Sequence, residues 1–381
     1  MRTLITKLGK SFIKPEQKPI PKSAKRILII RSGGLGDVIM TTPLLGAVRN
    51  RYKNAYIAYL VGTWSSIALK SNPNVDEIIE FDDALVFKKK ARKLWQLIKL
   101  IQSKQFDVCL ILEKSYHWNM IPYLAKIPYR IGFNRAGEGF PNNKSVQFDA
   151  TKHEMDYYAE IASALGIKAK ALGKTELPEL YPTSGDKKNA KQFMKKHNLQ
   201  SAKKKKHNKN KILIGIAPGG AENPGQKMLS KRWPLEKYCG LVNLLIENNA
   251  LQVLLFGGKS DIGVCESIKQ QSIHPNQVTN CAGTDIHTTF LIMKECNLII
   301  THDSGPMHIA SASGTKLIAL FGPTDPRRFA PSKALVIQSP LESCPCYDMY
   351  GNYDKEIAEK CMPAISTDTV YQEVKKLIKG E

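Results

Sequence analysis

The feature that most constrains the fold is a pattern that occurs twice: a short apolar run, a glycine-rich turn and a helical pattern. The first copy runs from Ile27–Ile30 through the turn Ser32–Gly36, and the second runs from Ile212–Ala217 through Pro218–Gly220. A short apolar run rich in isoleucine is typical of a buried strand. Strand, glycine-rich turn and helix open a doubly wound α/β domain, so the sequence predicts two such domains.

The length of 381 residues also favours two domains over one. Between about Lys174 and Asn210 the chain becomes lysine-rich and loses its apolar pattern, which predicts a boundary there. We expect a basic N-terminal extension (1–24), an N-terminal domain (25–182), a lysine-rich linker region (183–210), a C-terminal domain (211–366) and a closing helix (367–381). A closed (β/α)₈ barrel is the alternative, and the lysine-rich break argues against it.

The composition is that of a globular protein, with 43% apolar and 24% charged residues. No apolar run approaches the ~18 residues that span a bilayer, and the N-terminus does not resemble a secretory signal. We therefore expect a cytoplasmic protein.

The formal net charge of +22 favours an anionic partner, which can be a nucleic acid, the phosphates of a nucleotide or an acidic membrane surface. The lysine runs 88–90 and 203–206 have few aromatic residues nearby, so we expect no nucleic-acid binding. Leu4, Ile5, Leu8 and Phe12 recur at helical spacing in the basic N-terminus. That segment suits either a short helix on an anionic membrane or a disordered tail.

Eight cysteines fall into two groups. Five lie in apolar segments and are expected to pack as small buried residues: Cys109, Cys239, Cys265, Cys281 and Cys296. Cys344, Cys346 and Cys361 cluster near the end of the chain, without an evident fourth metal ligand nearby. In a cytoplasmic protein we expect free thiols here, and no metal.

A second strand-to-helix junction lies at Leu298–Ala312, where an apolar run ends in Asp303 and Ser304 and a helical pattern begins at Gly305–Pro306. Proline suits the first turn of a helix, and the free N–H groups of a helix start bind anions. The pattern predicts an anion site with Asp303 and His308 at its rim. An ordinary turn of an α/β domain is equally compatible with this segment.

The first glycine-rich turn does not carry a full dinucleotide fingerprint, because only Gly34 and Gly36 have the required spacing. The next strand, Tyr56–Val61, also lacks the acidic residue that would bind a ribose. A Rossmann dehydrogenase is therefore disfavoured. Asp37, at the start of the following helix, is either a helix cap or a carboxylate presented at the sheet edge where α/β proteins place their chemistry.

Four motifs in order resemble the glycosyltransferase family 9 heptosyltransferases of lipopolysaccharide core assembly. They are Arg31–Val38, Lys231–Pro234, Asp303–Ala310 and Phe321–Pro326. The resemblance implies a GT-B fold, with two facing Rossmann-like domains and a central cleft. It further implies inverting transfer of heptose from ADP-heptose to a lipid A-linked core sugar. Lys231 and the helix start after Gly305–Pro306 can stabilise the leaving diphosphate without a metal, and no cofactor is expected. The excess of basic residues suits an enzyme that meets a phosphorylated lipid at the inner face of the cytoplasmic membrane.

The resemblance also implies roles for individual residues. Asp37 matches the catalytic base, and Lys231 matches the lysine that binds the donor phosphates. The remaining matches are Gly219, Gly220, Ser304, Gly305 and His308 around the donor phosphates, Asp303 at the donor sugar, Asp261 at the ribose, and the acceptor-side loop Ser32, Gly33 and Gly34. Another donor, such as UDP-N-acetylglucosamine, and a non-catalytic glycan- or nucleotide-binding GT-B protein are the alternatives.

Overall fold

A computed structural model describes residues 2–13, 15–16, 19–21, 23–83, 91–168, 172, 176–199, 212–223, 226–247 and 251–379. The chain divides into two compact units. The first unit comprises Met1–Glu179 with Asn223–Gly225, and the second comprises Leu180–Glu222 with Gln226–Glu381.

The first unit is built on a parallel six-stranded sheet with the strand order β3-β2-β1-β4-β5-β6. Its strands are β1 (Arg26–Ile30), β2 (Tyr56–Gly62), β3 (Glu77–Phe81), β4 (Val108–Ile111), β5 (Tyr129–Asn134) and β6 (Lys144–Gln147). Its helices are α1 (Arg2–Phe12), α2 (Leu35–Ile39), α3 (Thr42–Arg51), α4 (Ala91–Ser103), α5 (Tyr116–Leu124) and α6 (Glu154–Ala164). A 3₁₀ turn spans Ser66–Leu69. The central strands are apolar along their whole length because both faces of a parallel sheet are covered.

The N-terminal segment is helical, so of the two alternatives left open by its sequence the helix is the one found. Thr6 is buried, and Gly9 lies against the ring of Phe140 so closely that a Cβ there would lie 2.6 Å from ring atoms. Leu8 and Phe12 are exposed. The helix therefore packs on the first unit through its small residues.

The second unit repeats the architecture, with the strand order β11-β10-β7-β12-β13-β14. The strands of this sheet are β7 (Ile212–Ala217), β10 (Leu251–Leu255), β11 (Val278–Asn280), β12 (Leu298–His302), β13 (Lys316–Phe321) and β14 (Ala334–Gln338). The short strands β8 (Glu222–Asn223) and β9 (Gln226–Lys227) pair separately. The helices are α7 (Ser184–Lys196), α8 (Leu235–Ile246), α9 (Ile262–Gln270), α10 (Ile286–Met293), α11 (Gly305–Ser313), α12 (Pro326–Phe329), α13 (Lys355–Cys361) and α14 (Thr367–Lys379). The 3₁₀ turns of this unit span Leu229–Lys231, Lys259–Asp261 and Pro275–Gln277.

Two open sheets, each with two edge strands, confirm the prediction of two doubly wound α/β domains and exclude the barrel alternative. The division between the units falls at Glu179–Leu180. Within the expected linker region 183–210, α7 forms and packs against α10 in the second unit. Residues 200–211 lie outside the described part of the chain.

One prediction about the cysteines is wrong. Cys344 and Cys361 form a disulfide bond, whereas free thiols were expected. The segment after β14 passes the C-terminal end of α13, which places the two Cα atoms 6.1 Å apart and within reach of a disulfide. Cys346 is a free, partly buried thiol, and the five other cysteines are buried as predicted.

The described residues lack two kinds of feature. Among them no helix combines the length and apolar character needed to cross a membrane. No group of three or more His, Cys, Asp or Glu side chains in that part of the chain is arranged to hold a metal ion.

Candidate functional site

Two turns of the second unit meet at the carboxyl end of its sheet, because β7 and β12 are adjacent parallel strands. One is the turn at Gly219–Gly220 after β7, and the other is Ser304, which precedes α11. Gly220 has φ +88°, and a Cβ on it would lie 3.2 Å from Cβ and Oγ of Ser304. Glycine is thus required at position 220 by both the backbone conformation and the close contact. The glycine-rich turn lies directly against the start of a helix.

The start of α11 has the geometry of an anion site. Ser304 is extended, Gly305 begins the helix and Pro306 occupies its first turn. The Ser304 hydroxyl donates to the carbonyl of His302, so it does not cap the first turn. The N–H groups of that turn and the helix dipole attract negative charge.

A buried lysine–aspartate pair stands beside this helix start. Lys231 Nζ lies 2.8 Å from Asp303 Oδ2, and the Thr324 hydroxyl donates to the same oxygen at 2.8 Å. Burial disfavours the charge on Asp303, but Lys231 and Thr324 outweigh this effect and hold the pKa of that carboxyl below its ordinary value. Lys231 also lies near the rings of Phe329 and Tyr347, with Nζ 5.9 and 5.8 Å from their centroids. The carboxylate of Asp303 therefore stays ionised, and it holds the side-chain nitrogen of Lys231 beside a helix start that favours anions.

His308 and His302 flank Asp303 with different roles. His308 is buried on α11, and its electrostatic effect on Asp303 favours the ionised carboxylate. His302 is fully buried, and burial lowers its pKa to about 3, so its ring is neutral. Its Nδ1 lies 3.1 Å from the hydroxyl of Tyr238, which marks it as a structural residue.

Asp261 is buried, and both oxygens of its carboxylate have hydrogen-bond partners within the protein. Its Oδ2 accepts hydrogen bonds from the N–H groups of Gly220 at 3.1 Å and Gly258 at 2.9 Å. Its Oδ1 lies 3.2 Å from the Arg232 guanidinium, which also donates to the carbonyl of Gly220 at 2.8 Å. Asp261 and Arg232 together fix the Gly219–Gly220 turn, so their charges are engaged within the protein.

In the first unit, Asp37 lies at the carboxyl end of β1 in the third position of α2. The N–H of Gly34 donates to its Oδ2 at 3.0 Å, and Arg31 lies 2.7 Å from its Oδ1. The side chain is 29% exposed. Asp37 thus caps its own helix, and its carboxylate is also fixed in orientation and accessible to solvent. A helix cap and a carboxylate presented at the sheet edge are therefore compatible interpretations of this residue.

Arg31 joins Asp37 to a second carboxylate. Its guanidinium lies 3.0 Å from Glu113, and the Ser32 hydroxyl donates to the same Glu113 oxygen at 2.7 Å. Burial opposes the charge on Arg31, yet Asp37 and Glu113 raise its pKa well above the ordinary value. Arg31 is therefore a permanent cation beside Asp37.

The loop Ser32–Gly34 shapes the surroundings of Asp37. Gly33 has φ +129°, and a Cβ on it would lie 3.1 Å from Asp37 Oδ2, so the turn needs glycine there. Its carbonyl accepts a hydrogen bond from the hydroxyl of Ser65.

Arg31, Glu113 and Thr324 were given no role in the sequence analysis. Glu113 had a signal that could have found it, because it directly follows the apolar run of β4, the strand next to β1. Parallel strands that are neighbours present their following residues at one edge.

Two doubly wound units, each with polar groups at the carboxyl edge of its sheet, define the architecture of a nucleotide-sugar-dependent glycosyltransferase of the GT-B class. The model of glycosyltransferase family 9 (heptosyltransferase) matches residues 94–355, and the chain belongs to this family.

Relatives and solved structures agree with this assignment. The chain is 30% identical over 314 residues to the lipopolysaccharide heptosyltransferase 2 of Salmonella typhimurium, with 79% of this chain and 84% of the relative covered. The structure of the E. coli ADP-heptose LPS heptosyltransferase II aligns with a TM-score of 0.69 and 26% identity, covering 93% of this chain and 99% of that one. A family 9 glycosyltransferase from Veillonella parvula has the same fold, with a TM-score of 0.74 at 23% identity and coverage of 94% and 99%.

The contacts of Asp261 lead to a stability prediction. We expect Asp261→Asn to lower the free energy of unfolding by about 2 kcal/mol, because one amide cannot replace the carboxylate toward two N–H donors and a partly buried guanidinium. The midpoint of urea denaturation measures this change. The exposed Asp368→Asn substitution is the control. An unchanged midpoint together with weakened nucleotide binding would instead assign Asp261 to the ligand alone.

Proposed function

We propose that this chain is an inverting transferase that moves heptose from ADP-heptose to a lipid A-linked core sugar in lipopolysaccharide biosynthesis. The observation that carries the proposal is the Lys231–Asp303 pair beside the start of α11, within a family 9 chain. Curated relatives at about 30% identity bear the name heptosyltransferase 2, and the structure at 26% identity is an ADP-heptose LPS heptosyltransferase.

The second unit is proposed to bind the donor. Loss of the nucleoside diphosphate leaves negative charge on the departing oxygen, and groups aimed at that charge lower the barrier. Lys231 and the N–H groups after Ser304 and Gly305 supply such stabilisation. Asp303 is proposed to accept hydrogen bonds from the donor sugar. It would use the acceptor positions of its carboxylate that Lys231 and Thr324 do not occupy. His308 supports the ionised Asp303.

The Gly219–Gly220 turn, which Asp261 and Arg232 fix in position, allows the donor to approach the backbone closely. The ribose role of Asp261 remains a proposal. In this structure both oxygens of its carboxylate already have protein partners, so a ribose would have to share them.

The first unit is proposed to bind the acceptor, with Asp37 as the general base. Arg31 and the Gly34 N–H favour the ionised carboxylate and fix its orientation. A base is useful only when it is unprotonated and within reach of the hydroxyl that it activates. A single displacement with one base inverts the anomeric centre and needs no protein nucleophile.

The first experiment tests both the identity of the donor and the transfer reaction. Incubation of the protein with ADP-heptose and a heptose-deficient lipid A-core acceptor is expected to release ADP and to add one heptose to the acceptor, both read by mass spectrometry. UDP-N-acetylglucosamine serves as the comparison donor. Efficient transfer from that donor and none from ADP-heptose would replace the donor assignment, and binding of nucleotide sugar without any transfer would favour the non-catalytic alternative.

We expect Asp37→Asn to lower kcat about a thousandfold, because the amide cannot accept the hydroxyl proton. The affinity for nucleotide, measured by calorimetry, should stay near that of the parent protein, because Asp37 lies in the unit that is proposed to bind the acceptor. Glu160→Gln, which removes an exposed carboxylate of the same unit, is the control. A variant that keeps its turnover, or that loses donor binding, would remove Asp37 from the base role.

We expect Lys231→Met to weaken binding of ADP about tenfold or more, since a charge-assisted hydrogen bond contributes about 1.5–3 kcal/mol, and to lower kcat as well. The nearby Lys227→Met is a matched control, because the Lys227 side chain is 72% exposed. Equal ADP affinities for the two variants would contradict the phosphate role of Lys231.

A lipid-linked acceptor also implies where the enzyme works. We propose that it is cytoplasmic and attaches peripherally to the inner face of the cytoplasmic membrane, and the net charge of +22 supports attraction to anionic lipid.

A further inference from the structure

Two large apolar side chains are exposed beside the Asp37 turn. Trp64 is 53% exposed and Ile67 is 38% exposed, on the segment that follows β2. The N–H of Thr63 donates to the carbonyl of Phe81 at 3.1 Å, and the N–H of Trp64 donates to Asp83 Oδ2 at 2.9 Å. The backbone is therefore fixed while the side chains point to solvent.

This segment is tied to the proposed base. Ser65 is fully buried, and its hydroxyl donates to the carbonyl of Gly33 in the turn that leads to Asp37. The 3₁₀ turn Ser66–Leu69 packs against α2, the helix that contains Asp37. The segment that contains Trp64 is thus held against the turn that leads to Asp37.

Helix α4 adds a basic and aromatic face. Leu97, Ile98 and Ile101 are buried in the core, whereas Arg92, Trp95 and Lys99 are exposed at spacings of three and four residues on the outer face. Trp95 is 54% exposed, and Lys99 Nζ lies 5.2 Å from its ring centroid.

Two adjacent residues that follow β3 contact both elements. Asp82 pairs with Lys93 of α4 at 3.1 Å, and the adjacent Asp83 binds the N–H of Trp64. The start of α4 and the Trp64 segment are therefore anchored to neighbouring residues at the carboxyl end of β3.

We propose that Trp64, Ile67, Arg92, Trp95 and Lys99, here called the Trp64–Lys99 surface, rest on an anionic lipid bilayer. Tryptophan suits the boundary between headgroups and acyl chains, and arginine and lysine are attracted to acidic headgroups. The inference rests on the proposed function for its logic: a sugar attached to a lipid reaches Asp37 only if the surface around that turn faces the membrane. The surface, not α1, is then the principal membrane contact.

The test is co-sedimentation with vesicles of equal parts phosphatidylcholine and phosphatidylglycerol, with pure phosphatidylcholine vesicles as the neutral comparison. Each basic residue near an anionic surface contributes about 1 kcal/mol, or about fivefold in binding. We therefore expect the double variant Arg92→Gln/Lys99→Gln to bind about twenty-five-fold more weakly. Trp64→Ala/Trp95→Ala should weaken binding to both kinds of vesicle, because it removes apolar contact as well.

Matched controls come from the second unit. Lys375, whose Nζ lies 4.9 Å from the ring centroid of Tyr371, is a partly buried lysine that also has an aromatic neighbour, and Ile273 is 49% exposed. Lys375→Gln and Ile273→Ala should leave vesicle binding unchanged, and so should removal of residues 1–24. Equal losses in the controls, or loss confined to the truncated protein, would overturn the inference.

A second readout separates the membrane from a sugar subsite. Transfer to an acceptor embedded in vesicles should fall in the Trp64→Ala/Trp95→Ala variant, while transfer to a delipidated, water-soluble acceptor should not. If both fall equally and vesicle binding is unchanged, Trp64 contacts the acceptor sugar and the membrane assignment is wrong. If the parent protein transfers no sugar at all, the proposed function fails. The vesicle experiment still decides whether the Trp64–Lys99 surface binds an anionic bilayer.

Discussion

The structure depends on one constraint of parallel sheets: strands covered on both faces can expose polar chemistry only where they end. Ile27–Ile30 are fully inaccessible to solvent, and the chain regains polar groups at Arg31 and Ser32. The same change occurs after β12, where Asp303 and Ser304 follow a fully buried strand. The candidate catalytic and binding residues therefore lie at the carboxyl edges of the two sheets.

A second constraint follows, because charges gathered at these edges are partly buried and need compensation. An uncompensated charge in a protein interior costs several kcal/mol. Lys231 is balanced by Asp303, Arg232 by Asp261 and Glu222, and Arg31 by Asp37 and Glu113. Each of these pairs also has hydrogen bonds to nearby backbone or hydroxyl groups. The same contacts that make the charges tolerable hold them in position, so stability and function are coupled here.

The sequence predicted the elements best where periodicity was strong and end signals were clear. The apolar run Ile212–Ala217 was predicted to be a strand, and the strand has those bounds. The helix expected to begin at Gly305–Pro306 begins at Gly305, because Pro306 suits the first turn of a helix.

What could not be read from the sequence depends on tertiary contacts. The Cys344–Cys361 disulfide requires α13 to pass the segment after β14, and the protein partners of Asp261 require three separate turns to converge. Sequence motifs singled out Asp37, Lys231 and Asp303 as candidate site residues, whereas the contacts that Arg31, Glu113 and Thr324 make around them depend on tertiary structure. The roles themselves remain proposals.

The contact between Gly220 and Ser304 has a consequence for protein engineering. A side chain at position 220 would strain the backbone at φ +88° and press on Ser304 before α11, so we expect substitutions there to destabilise this turn. Phe329 and Tyr347 differ from Gly220 in this respect, because neither has a positive φ and each lies near Lys231 only as a side chain. Substitutions at those two aromatic residues therefore change the surroundings of Lys231 without demanding an unusual backbone conformation.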